Sequence, residues 1–246
     1  MTRYRATLEY DGGDFLGFQR QAHGPTVQEA IETALRRIGW PGETLLAAGR
    51  TDTGVHAAGQ VIAFDFHEWK HGEDNLLRAL NANLPGTIAV KSVSEAAPDF
   101  HPRFAARSRR YRYTIYNAPV RSPLLARYAW HVPTPELSIE TLNEASACLV
   151  GRKDFATFGT PPDEGGHTVR TVGRAEWKRA EAILTFDIEA DAFLYRMVRS
   201  VVGTLRAVGA GEMTPARFGE VLAAADRTRS GPAAPAHGLC LMEVKY

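Results

Sequence analysis

Residues 48–57 bring together one carboxylate, one guanidinium and two hydroxyls, on Asp52, Arg50, Thr51 and Thr53. Gly49 and Gly54 lie among them and allow backbone conformations that other residues resist. Thr51 and Thr53 can donate hydrogen bonds to Asp52 or bind nearby backbone groups. The planar fork of Arg50 suits a carboxylate or a phosphate. An apolar run, Leu45-Leu46-Ala47, precedes the stretch, and an alternating run from Gln60 to Phe66 follows it, so a loop between two strands is expected. A Gly-Asp turn closing a hairpin would have the same composition, because Asp and Gly are ordinary turn residues.

A second chemical signal lies between Phe100 and Pro135. Arg103, Arg107, Arg109, Arg110, Arg112, Arg121 and Arg127 fall there with no Asp or Glu, in a chain whose net charge is only +1. One sign of charge concentrated in a nearly neutral protein implies an anionic partner. Phe100, Phe104, Tyr111, Tyr113 and Tyr116 are interleaved. Arginine with aromatic residues binds phosphates and stacks on bases, which favours nucleic acid over a merely solvated basic face.

The elements that must position these groups follow from periodicity. Tyr4, Ala6, Leu8 and Tyr10 alternate with Arg3, Arg5, Thr7 and Glu9, as on a half-buried strand. Thr26 with Glu29 reads as a capping box before a helix whose stripe is Val27, Ala30, Ile31, Ala34, Leu35 and Ile38. The strand leading into the loop and the run Val61 to Phe66 come next, then a helix from Asn75 to Leu84 and a strand from Ile88 to Val93. In the second half the order is a strand over 111–116, a helix capped by Ser138, and strands over 172–177 and 182–188. A helix over 196–208 follows, with Met197, Val198, Val201, Val202, Leu205 and Val208 on one stripe. Then come a helix begun by Thr214-Pro215 and a closing strand over 239–244. The expectation is an α+β protein of two ferredoxin-like β-α-β-β-α-β halves, residues 1–105 and 106–246. The halves would join into one mainly antiparallel sheet with helices on one side and a cleft between them. Arg199 lies off the apolar stripe of its helix, on the face of Gly203 and Arg206. It either faces solvent or meets a partner, and Gly203, a poor helix former, suggests a close approach to that face.

Apolar content of 44% and charged content of 23% are those of a globular protein, and no apolar run could span a bilayer. The N-terminus lacks a signal-peptide core, and Cys148 and Cys240 are far apart, so a cytoplasmic location with free thiols is expected. The histidines are scattered; His67 and His71, four apart, could share a helix face, but their flanks read as strand end and loop and no cysteine joins them, so no metal site is expected. There is no P-loop, no G-x-G-x-x-G and no G-x-S-x-G.

Gly49-Arg50-Thr51-Asp52-Thr53-Gly54-Val55-His56-Ala57 resembles the catalytic loop of the tRNA pseudouridine synthase A family. The run from Tyr10 to Gln21, the stretches around Phe100-His101-Pro102-Arg103 and Arg110-Tyr111-Arg112-Tyr113, and the run from Phe193 to Arg199 are similar to its other motifs. The resemblance implies that Asp52 is the nucleophile, that Tyr111 contacts the target uridine, and that Arg199 pairs with Asp52. It also implies tRNA as partner, with uridines 38 to 40 of the anticodon stem-loop as targets, and a homodimer. Arg50 would fill the place of the flipped base or clamp a phosphate, and Arg107 and Arg110 would meet phosphates. The reaction is an isomerisation without redox change, so no cofactor and no metal are expected. Two other classes fit part of the pattern. A non-catalytic RNA-binding module of RRM-like fold would share the aromatic strands but not require Asp52. A hydrolase would need a second carboxylate, which the loop lacks.

Overall fold

The computed structural model describes residues 1–67, 69–161 and 165–246. The chain divides into two compact units, Met1–Arg107 with Cys240–Tyr246, and Ser108–Leu239.

In the first unit, β1 (Thr2–Tyr10) buries Tyr4, Ala6, Leu8 and Tyr10, the alternate residues that its period selects. Strands β2 (Leu46–Ala47), β3 (His56–Phe66) and β4 (Ile88–Glu95) complete the local set. β1 lies antiparallel between β3 and β4, and the short β2 pairs with Ile62 and Ala63 of β3. The run from Gln60 to Phe66, expected to alternate, does not: β3 is buried along nearly its whole length, so both its faces carry apolar residues. Helix α1 (Val27–Arg37) begins where the capping box placed it, with Thr26 Oγ1 accepting the Glu29 N–H at 3.3 Å. Helix α2 (Glu73–Asn83) starts two residues before the expected Asn75, on an N-cap glycine with no side-chain cap.

In the second unit, β5 (Ser108–Tyr116) pairs antiparallel with β9 (Ile183–Ala190), β9 with β8 (Val169–Ala180), and β8 with β7 (Gly151–Asp154). A two-residue strand, β6 (Trp130–His131), runs parallel to the end of β5. Helices α3 (Ile139–Ala147) and α5 (Pro215–Ala223) carry the expected caps, Ser138 and Thr214. Helix α4 (Met197–Gly209) buries the whole stripe expected of it. Strands β6 and β7 were not expected.

The terminal strand β10 (Leu239–Lys245) departs from the expected order. Cys240 and Leu241 pair in parallel with His56 and Ala57 of β3, so all but its first residue belongs to the first unit. β3 extends well beyond its partner β2, and its backbone groups there need an acceptor and a donor. Gly59 allows the approach, since a Cβ there would overlap Met242 O. The described residues thus form an α+β protein with five α-helices and mostly antiparallel strands. No described helix is long and apolar enough to cross a membrane.

Candidate active site

The loop between β2 and β3 is held by main-chain groups and by the side chains of Gln60 and Tyr10. Ala48 N–H donates to Val61 O at 2.8 Å, and the Gln60 side-chain amide donates to Gly49 O at 2.9 Å. Thr51 is buried; its Oγ1 shares a 2.8 Å hydrogen bond with Tyr10 OH, and its carbonyl accepts the Phe18 N–H at 3.0 Å. Asp52 then opens a four-residue turn, its carbonyl accepting the Val55 N–H at 3.1 Å. Gly54, at φ 78°, takes the positive φ that a type II turn demands of its third residue. The result is a half-buried carboxylate at the head of a turn whose backbone cannot shift without breaking several bonds. Arg50, beside it, is exposed.

The motif after β1 builds the floor of this loop. Gly17 has φ 96°, and a Cβ there would lie 2.9 Å from Thr51 O and 3.3 Å from the Asp52 carbonyl carbon. A Cβ on Gly12 would overlap Val55 O. Gly12 N–H donates to the buried His56 Nδ1 at 3.0 Å, and the Asp11 carboxylate lies 3.1 Å from the same nitrogen. Phe15 and Phe18 are buried, while Gln19, Arg20 and Gln21 are exposed. Glu32 of α1 is fully buried; it pairs with Arg20 and accepts the Leu45 N–H at 3.2 Å, so one carboxylate ties the floor to the entry of β2. Gly12 and Gly17 of this motif are contact points for the Asp52 turn.

In the second unit the arginine strand is less uniformly basic than its sequence. The β5 to β9 register sets Arg112 opposite Asp187, a carboxylate only 2% exposed. Arg112 donates to both its oxygens, at 3.1 and 2.9 Å, and Arg110 to one at 3.3 Å. Arg109 donates to Asp191 O at 2.7 Å, and Ser108 to the Glu189 carboxylate at 2.6 Å. Asp187 is a residue that sequence reasoning missed; it lies more than seventy residues from its partners, and its only local signal is a charge between the apolar Phe186 and Ile188. Arg107, by contrast, is exposed, its N–H donating to Lys245 O within the first unit. Tyr111 is half-buried with its ring edge-on to Phe193, centroids 5.0 Å apart. Tyr113 is fully buried and donates to Pro235 O at 2.8 Å. Burial pushes its phenol far above the usual range, with the Arg199 charge opposing, so it stays protonated at any working pH.

Arg199 is the third residue of α4 and half-buried rather than solvent-facing. A cation in the first turn opposes the helix dipole, at a cost of about 0.3–1 kcal/mol. Backbone compensates it: Arg199 Nε donates to Ala234 O at 2.8 Å, and Ala234 N–H returns a bond to Arg199 O at 2.9 Å. The preceding Arg196 takes the left-handed conformation, φ 61°, a strain that non-glycine residues adopt sparingly.

An α+β chain with a carboxylate on a glycine-buttressed turn, and an arginine–tyrosine strand beside an anchored helix arginine, has the parts of a base-modifying enzyme. Comparison with known proteins makes the class specific. A family model described as tRNA pseudouridine synthase matches residues 6–105 and 145–246. The chain is 43% identical to tRNA pseudouridine synthase A of Moorella thermoacetica, covering 98% of both chains. It is 42% identical to that of Geobacter sulfurreducens, over the full length of both, and 44% identical to that of Chloroflexus aurantiacus over 97% of this chain and 87% of the relative. A chain in the solved structure of an H/ACA RNP bound to a substrate RNA containing 2′-deoxyuridine superposes with a TM-score of 0.40 at 12% identity, over 83% of this chain and 43% of that one, too slight a likeness to support a conclusion. The chain belongs to the tRNA pseudouridine synthase family, whose members are isomerases. The stretch with Arg107, Arg110 and Tyr111 lies between the two matched segments and is covered by the full-length relatives.

Proposed function

We propose that this chain converts uridine to pseudouridine in the anticodon stem-loop of tRNA, at positions 38 to 40, with Asp52 as nucleophile. The observation that carries the proposal is the placing of Asp52 at the head of a turn fixed by Tyr10, Gly17, Phe18 and Val55, within a chain of this family. In the reaction the bond from ribose C1′ to uracil N1 breaks, the base turns, and C5 joins C1′. C5 gives up a proton and N1 gains one, so electrons balance without a cofactor. Asp52, as the carboxylate, would attack the nucleoside, and a fixed turn spares the reaction the cost of orienting it. The target must leave its stack first. Tyr111, braced by Phe193, would stack on or hydrogen-bond the flipped uracil and serve proton transfer from C5. Arg199 would keep the Asp52 carboxylate ionised and oriented. Arg50 and Arg107, both exposed, are suited to phosphates; Arg110 would have to share its guanidinium with Asp187. A homodimer in the cytoplasm is the expected working form.

Release of tritium from tRNA labelled at uracil C5 tests the reaction without any added cofactor. Release at the rate of pseudouridine formation supports it; release of free uracil instead would indicate a hydrolase.

A further inference from the structure

Residues 230–238 fall in the stretch 226–238, rich in Pro, Ala and Arg, that the sequence reads as a loop. They instead form a strap along α4 that touches the helix at successive turns. Gly231 N–H donates to Thr204 Oγ1 at 2.9 Å. Pro232 O sits against Gly203 so closely that a Cβ there would overlap it. Ala234, only 1% exposed, exchanges both its backbone groups with Arg199, through the Arg199 carbonyl and Nε. Pro235 O takes the Tyr113 hydroxyl at 2.8 Å, and Gly238 lies against the Tyr113 ring. The approach that Gly203 foretold is therefore made by the protein's own backbone.

We infer that this strap sets the orientation of the Arg199 guanidinium, and that Tyr113 is a positioning residue for it, acting from β5 through Pro235 and Ala234. The Nε–H is one of five donors on a rigid planar fork, so fixing its direction fixes the direction of the terminal nitrogens. Tyr113 is suited to the task because its buried phenol never ionises near neutrality and donates throughout. The two anchored carbonyls are adjacent, Ala234 and Pro235, so loss of one anchor loosens the other. The inference rests on the proposed role of Arg199 in the reaction.

The test is a double-mutant cycle on full-length protein, read as single-turnover pseudouridine formation and as tRNA affinity. Tyr113→Phe is expected to slow turnover about tenfold while leaving the tRNA Kd within about twofold. In an Arg199→Ala background the same change should cost less than about twofold, because the residue through which Tyr113 acts is gone. Gly203→Ala, which displaces Pro232 without touching either side chain, should show the same pattern. A direct readout is the exchange rate of the Arg199 Nε–H proton, expected to rise in Tyr113→Phe. Additive losses with an unchanged exchange rate would overturn the strap alone and leave Tyr113 as core. A wild-type rate in Arg199→Ala would instead remove the role of Arg199, and with it this inference.

Discussion

The Asp52 loop and the Tyr111 strand are held by different forces. The loop is fixed by main-chain hydrogen bonds and by glycines that let backbones touch, with Gly17 lying under Thr51, Asp52 and Thr53. The strand lies in its ladder with β9, and its guanidiniums are ordered by charge: Asp187 sits between Arg110 and Arg112. A backbone-built turn gives a carboxylate one position, with no dependence on salt. A charge-built strand keeps guanidiniums extended and ordered, and leaves part of their charge for a polyanion. The difference suits the proposed roles, reaction at Asp52 and tRNA contact along β5.

The comparison can be broken at several points, beginning with the largest effect. Asp52→Asn should bring turnover to background while tRNA binding survives, because the side chain changes and the turn does not. Gel-shift affinity and single-turnover rates measure the two; turnover by a clean Asn variant would remove the nucleophile role. Gly17→Ala should lower the rate by about ten- to a hundredfold and also lower Tm. It combines a strained positive φ with a contact on the Asp52 peptide, and such misplacement of a reacting group is costly. An unaltered rate would show that the loop tolerates movement.

Tyr111→Ala should slow turnover more than Tyr111→Phe, since the first loses ring and hydroxyl and the second only the hydroxyl. Equal wild-type rates would return Tyr111 to a packing role against Phe193. On the charge-built side, Asp187→Asn should steepen the salt dependence of tRNA binding by about one unit of log–log slope, as guanidiniums turn to phosphate. Arg107→Ala should flatten it by a similar amount. A slope unaffected by both would contradict the account of the strand.

The smallest effect separates stability from reaction. Arg3 holds the Asp65 carboxyl below its ordinary range, chiefly by donating to it at 2.7 Å. A depressed folded pKa contributes stability above the unfolded value, about 3.9, and that contribution is lost as pH falls through the lower folded value. Asp65→Asn should therefore lower Tm slightly at pH 7 and flatten its acid dependence, with turnover unchanged. A change in turnover would mean that the pair reaches the reaction.

Several of these features were legible in the sequence. The alternation of β1, the caps at Thr26, Ser138 and Thr214, and the stripe of α4 are local patterns, and local physics reproduces them. The Asp52 turn was legible as a motif, and Gly203 as a point of close approach. What periodicity does not carry is the identity of partners. Strand β6, of two residues, is too short to show a period. The pairing of β10 with β3 is a matter of vacant backbone groups far away in the chain. The arginine run looked uncompensated because its partners, the Asp187 carboxylate and the Asp191 carbonyl, arrive from β9 and the residue after it, some eighty residues later. The strap over α4 looked like linker because Pro and Ala give no hint of which carbonyls Arg199 and Tyr113 will take.

The most direct test of the account is to map pseudouridine at nucleotide resolution in unmodified tRNA after incubation with the purified protein and no cofactor. The expected result is new pseudouridine confined to the anticodon stem-loop, at one or more of positions 38 to 40, absent when Asp52→Asn replaces the wild type. Tight binding of tRNA with no pseudouridine formed, or pseudouridine formed equally by both proteins, would contradict it.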